Sequence, residues 1–74
     1  MIIYSLENCP NCDALKKLAT ALSYEYEEKP MDDPEVLTDL RFNGCFEVMA
    51  PIMQINERYY PYEQAREWLI GSAT

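Results

Sequence analysis

The chain contains no histidine, and only six lysine and arginine residues stand against thirteen aspartates and glutamates, for a formal charge of −7 over 74 residues. Without histidine it lacks the usual general base of a Cys-His hydrolase and the commonest metal ligand. The acidic excess repels nucleic acid and anionic membrane, so neither is an expected partner. Long hydrophobic runs are missing too. The longest, Val48 to Met53, has six residues and contains Pro51, far short of the ~20 that span a bilayer. The opening MIIYSLE has no basic residue and the first lysine is Lys16, so no secretory signal is expected, and the protein is expected to be soluble and cytoplasmic.

What is present suits one small domain over residues 1–74. A chain of this length buries roughly 60 % of the surface its unfolded form exposes and gains from a staple. Three cysteines are available. An odd number fits a secreted disulfide framework poorly and a cytosolic dithiol plus one spare thiol better.

Met1 to Ser5 is an apolar run suited to a buried strand. From Pro10 to about Ser23, Leu15, Leu18 and Leu22 recur on one helical face while Asp13, Lys16, Lys17 and Thr20 fall elsewhere, the pattern of an amphipathic helix. Proline at the first helical position sets Cys9 at the cap and Cys12 in the first turn. Tyr24-Glu25-Tyr26-Glu27 alternates as a strand does, with Pro30 closing the segment. Asp32 or Asp33 caps a second helix through Pro34 and Glu35, with Val36, Leu37, Leu40 and Phe42 inward and Asn43-Gly44 as its end. A loop over Cys45 to Ala50 follows. Pro51 leads into a strand at Ile52 to Ile55, and Asn56-Glu57-Arg58 turns into a short strand at Tyr59-Tyr60. A last helix is expected from Pro61 to about Ile70, with Ala65, Trp68 and Leu69 inward and Gly71 as its stop. The order is βαβαββα, a small mixed sheet covered by helices.

The segment that carries chemistry is Cys9-Pro10-Asn11-Cys12. Two thiols at that spacing form a redox dithiol, half of a metal or iron–sulfur site, or two structural cysteines. Zinc requires four ligands, and this chain offers one pair, Cys45 and no histidine. A CxxC that opens the first helix directly after the first strand favours the dithiol. In that reading Cys9, at the helix cap, attacks, and Cys12, inside the first turn, resolves the mixed disulfide. The helix N-terminus favours a negative sulfur on Cys9, while the carboxylate of Glu7 opposes it. Cys45 reads as a small buried hydrophobe rather than a third redox centre, although its loop precedes Pro51.

With strand MIIYSL, CPNC at a helix start, Ala50-Pro51 leading the third strand and NERYY as a hairpin, nearly the whole chain resembles a small glutaredoxin. The resemblance implies an α/β, thioredoxin-like fold with a four-stranded mixed sheet and three helices. It implies a thiol-disulfide oxidoreductase and electron carrier with Cys9 and Cys12 as catalytic dithiol and no tightly bound cofactor. It also implies a cis Pro51 facing the cysteines, an Ala50 backbone that pairs with substrate, and a substrate groove drawn from Pro10, Asn11, Ala50, Pro51, Tyr60 and Tyr62. Packing is expected to occupy at least two of Tyr59, Tyr60 and Tyr62.

Glutaredoxins that use glutathione usually carry a basic residue two before the first cysteine, Thr-Val before the cis-proline and Gly-Gly-x-Asp after the last strand. This chain has Glu7, Met49-Ala50, and Pro61-Tyr62 followed by Gln64, with Glu47 in the preceding loop. Glutathione's carboxylates want cations and free backbone N–H groups, so these changes point from glutathione towards a thioredoxin-reductase-type flavoenzyme as electron donor. The expected electron donor is glutathione or such a reductase, and the expected target is a protein disulfide, ribonucleotide reductase among the targets such redoxins serve, with the chain acting as a monomer. The rival from another class is a non-catalytic metal or iron–sulfur module built on Cys9, Cys12 and Cys45.

Overall fold

A computed structural model describes residues 1–47 and 49–72 of the chain. The described residues form β1 (Ile2–Ser5), α1 (Pro10–Ala21), β2 (Glu27–Pro30), α2 (Pro34–Phe42), β3 (Ile52–Ile55), β4 (Arg58–Pro61) and α3 (Tyr62–Ser72). Their sheet has the order β2-β1-β3-β4. Strand β1 runs parallel to β2 and antiparallel to β3, and β3 is antiparallel to β4. The architecture is the expected α/β, thioredoxin-like one, with three helices on a four-stranded mixed sheet. Among the described residues no helix is long and apolar enough to cross a membrane.

Strand alternation divides the core between the two faces of the sheet. Ile3 and its cross-strand partner Met53 meet Leu15 and Ala19 of α1 and Ala65 and Leu69 of α3. Tyr4 and its partner Ile52 face the other way, onto Leu40 of α2, Met31 and Cys45. Trp68 is half-buried against the first cluster, its ring 5.7 Å from Tyr24 and 6.4 Å from Tyr60.

Helix ends explain where the elements fall. In α1, the N–H of Ser23 bonds to the Thr20 carbonyl (3.0 Å) and that of Tyr24 to Ala19 (2.9 Å), a double closure of the last turn with Ser23 at a φ of +64°. That closure uses the Tyr24 amide, so the strand expected at Tyr24–Glu27 does not begin there. Pairing starts at the Glu27 N–H on the Met1 carbonyl (3.0 Å) and continues past Pro30 to the Met31 N–H on Ser5 (2.8 Å). Tyr24 and Tyr26 still turn inward, but from the connection rather than from the sheet. The same closure ends α2, with Gly44 N–H on Arg41 (3.1 Å) and Cys45 N–H on Leu40 (2.8 Å). It requires Gly44 at φ +85°, a conformation that glycine adopts without steric cost.

Asp33, not Asp32, caps α2, its carboxylate accepting from the Glu35 N–H at 2.8 Å. Phe42, expected inward, is 89 % exposed, because two residues beyond Leu40 on a helix is nearly the opposite face. Strand β4 is longer than Tyr59-Tyr60 and ends at Pro61, opposite Ile52. Pro61 is therefore not the first residue of the last helix. It lies on an edge strand, where a missing N–H is tolerated, and α3 begins at Tyr62. Gly71 does not stop α3, which continues to Ser72. Within the expected loop 45–50, Val48 lies outside the described residues.

Candidate functional site

The site lies where β1 ends. Leu6 leaves the sheet, and Asn8 adopts φ +56°, a left-handed conformation that asparagine tolerates better than most residues. The turn delivers Cys9 to the N-cap of α1 with φ −112° and ψ 104°. Its sulfur accepts from the Cys12 N–H at 3.1 Å, and its carbonyl accepts from Asp13 N–H at 3.1 Å. Pro10, exposed at the first helical position, has no N–H to leave unpaired there.

Cys9 and Cys12 are joined by a disulfide, with Cα atoms 5.2 Å apart. Their environments differ. Cys9 is half-exposed, whereas Cys12 has no accessible surface. An incoming group reaches only the Cys9 sulfur, to which the Cys12 N–H already donates.

The second wall comes from β3. The Ala50–Pro51 peptide bond is cis, as the glutaredoxin resemblance implied, and Pro51 is buried. Cys9 Sγ lies 4.0 Å from the Ala50 carbonyl oxygen. In the disulfide that sulfur carries no proton, so the contact becomes a hydrogen bond only in the dithiol form. Cys9, Cys12, Ala50 and Pro51 are thus brought together at one end of the sheet, and Pro10 and Asn11 lie exposed beside them. The two tyrosines assigned to the groove have packing roles. Tyr60 and Tyr62 lean on the α1/α3 cluster, and Tyr59 leans on the α2 cluster.

Cys45 is 5 % exposed among Tyr4, Met31, Leu40 and Ile52, on the α2 side. This is the expected small hydrophobe. Burial pushes the pKa of the Tyr4 and Tyr59 phenols above the ordinary tyrosine value, so both stay neutral around it. Among the described residues, no group of three or more histidine, cysteine or acidic side chains is arranged to hold a metal ion.

One feature was not anticipated from the sequence. A cleft of about 370 Å³ opens beside the turn before Cys9, with Glu7, Asp13, Glu28, Asp32, Lys16 and the buried Ser5 on its walls. Ser5 donates to Glu28 Oε2 at 2.6 Å, and Lys16 Nζ donates to the same oxygen at 2.8 Å while lying 3.6 Å from Asp13. The Lys16 hydrogen bond, then the Ser5 one, hold the Glu28 carboxyl below its ordinary range. The signal was faint: Lys16 follows Cys12 by one helical turn, but nothing local pairs it with Glu28. Glu7 stands in this acidic cleft.

Comparison with protein-family models, curated proteins and solved structures finds no match to this chain.

Proposed function

We propose that this chain is a small dithiol–disulfide oxidoreductase of glutaredoxin type, acting as a monomer in the cytoplasm. The observation that carries the reading is the asymmetric pair: a half-exposed Cys9 at the helix cap, bonded to a fully buried Cys12 and adjacent to the Ala50–Pro51 segment.

In the reaction, the Cys9 thiolate attacks one sulfur of a protein disulfide. A Cys9–partner bond forms, and the partner's second sulfur leaves as a thiolate and takes a proton. Cys12 then gives up its proton and attacks the Cys9 sulfur. The Cys9–Cys12 disulfide forms and the partner's first cysteine leaves as a thiolate, so the partner gains two electrons and this chain loses two. The Cys12 N–H, which bonds to the Cys9 sulfur, steadies its negative charge before the first attack.

Glu7 and the acidic cleft favour a flavoenzyme of the thioredoxin-reductase type over glutathione as the source of the returning electrons. The deciding assay follows reduction of a protein disulfide by the chain with NADPH and thioredoxin reductase, and separately with NADPH, glutathione and glutathione reductase. Fast turnover in the first and slow turnover in the second is expected. The reverse would reject the choice of donor, and no turnover in either would reject the enzymatic reading.

A further inference from the structure

The chain has four asparagines, Asn8, Asn11, Asn43 and Asn56. All four are exposed, so access to water does not separate them; the residue that follows does. Asn8 and Asn11 precede cysteine and Asn56 precedes glutamate, whereas Asn43 precedes Gly44. A glycine has no Cβ to shield its amide nitrogen from the carbonyl carbon of the preceding side chain. Among the described residues, nothing outside its own neighbours lies within 4 Å of the point where a Gly44 side chain would begin.

Folding keeps the two groups occupied elsewhere. Asn43 donates to the Asp39 carbonyl from its side-chain Nδ2 at 2.8 Å and from its backbone N–H at 3.0 Å, and the Gly44 N–H donates to the Arg41 carbonyl at 3.1 Å. A ψ of 10° at Asn43 turns the Gly44 nitrogen towards the backbone nitrogen of Asn43 and away from its side chain. The chain beyond is clamped: Arg41 Nη1 donates to the Cys45 carbonyl at 3.0 Å and to the Glu47 carbonyl at 3.2 Å, and Cys45 is buried with Leu40 and Tyr4. Asn43 and Gly44 therefore meet only when the last turn of α2 opens, a local event that costs less than global unfolding.

We propose that Asn43 is a site of spontaneous covalent modification, converting through a cyclic imide with Gly44 to aspartate and isoaspartate at a rate set by opening of the C-terminal turn of α2. The backbone nitrogen of Gly44 gives up its proton and forms a bond to Asn43 Cγ, and the side-chain nitrogen leaves as ammonia. Water then adds to one of the two imide carbonyls. Opening at Cγ leaves aspartate, opening at the backbone carbonyl leaves isoaspartate, and no electrons are exchanged. The product fits its place less well than asparagine. It lacks the Nδ2 donor to Asp39 and sets a negative charge at a helix C-terminus, the end that disfavours one. Isoaspartate also lengthens the backbone before Gly44, so the closures on Arg41 and Leu40 lose their register. The chemistry needs neither cysteine of the disulfide and does not depend on the redox reading.

The test holds the full chain in heavy-oxygen water at mildly alkaline pH, folded or in urea, digests it in ordinary water and locates incorporated oxygen by tandem mass spectrometry. Label is expected at position 43 well above positions 8, 11 and 56, and Asn43→Gln is expected to remove it. Urea, which abolishes the closure, is expected to raise the rate at position 43 about tenfold. Arg41→Ala, with circular dichroism showing it folded, is expected to raise that rate several-fold without urea. Asn43→Asp is expected to lower the urea midpoint. Label spread evenly over the four positions, or absent from position 43 even in urea, would overturn the proposal. Equal rates at position 43 in the folded chain and in urea, or in wild type and folded Arg41→Ala, would overturn it too, because the α2 turn would then control nothing.

Discussion

Cys9 and Ala50 stand 41 positions apart in sequence, yet the sulfur of one lies 4.0 Å from the carbonyl oxygen of the other. The contact crosses from the N-cap of α1 to the residue before Pro51, two positions ahead of β3. It exists because β1, which feeds α1, pairs antiparallel with β3 through Tyr4 and Ile52.

The unequal exposure of the two cysteines separates their variants. Cys9→Ser is expected to abolish turnover, since the remaining thiol is buried. Cys12→Ser is expected to stop after the first attack and hold the partner as a mixed disulfide. Intact mass after incubation with an oxidised peptide measures both; an adduct on Cys9→Ser instead would reverse the roles.

Glu7 places a carboxylate two residues before the Cys9 sulfur, where its charge disfavours a negative sulfur. Glu7→Lys is expected to move the Cys9 thiol titration to lower pH and to raise the rate with glutathione as donor. Ultraviolet absorbance of the thiolate against pH follows the first effect, and an unmoved titration would show that solvent screens the charge completely.

The Lys16–Glu28–Ser5 cluster gives a pH-dependent increment of stability. The folded-state carboxyl of Glu28 is held below its ordinary value of 4.5, so its contribution is present above that value and is lost as pH falls through the depressed one. The group is partly exposed, which limits the effect to about 0–1 kcal/mol. Glu28→Gln is expected to lower the urea midpoint at neutral pH, and the gap to wild type should close in acid. A gap that stays constant with pH would assign the effect to packing.

Core and surface positions on the helices should respond in opposite ways. Leu15→Ala removes a fully buried side chain from the α1/α3 cluster and is expected to cost about 2–5 kcal/mol in chemical denaturation. Phe42→Ser changes a side chain left 89 % exposed and should stay within about 0.5 kcal/mol of wild type.

The element order and the dithiol were legible in the sequence because they rest on local rules. Leucine spacing marks α1, prolines at first helical positions mark the starts of α1 and α2, and the CxxC position marks the site. The errors arose where a longer-range demand prevailed. Tyr24-Glu25-Tyr26-Glu27 alternates like a strand, but closure of α1 consumes the Tyr24 amide and β2 forms three residues later. Pro61 reads as a helix start, but pairing with Ile52 keeps it in β4. The acidic cleft and the Arg41 clamp were not legible, since each joins residues whose meeting depends on the finished fold or on loop geometry.

Both outer strands of the sheet end in proline, Pro30 in β2 and Pro61 in β4, and the pairings Ser5–Pro30 and Ile52–Pro61 put both at the end where the cysteines lie. Proline cannot supply the amide that an added strand needs, and β2 also carries Glu27, Glu28 and Lys29 along its length. Each border of the sheet is thereby capped against lateral growth at the end where the cysteines lie. The chain is thus guarded, by its borders, from stacking edge to edge into aggregates.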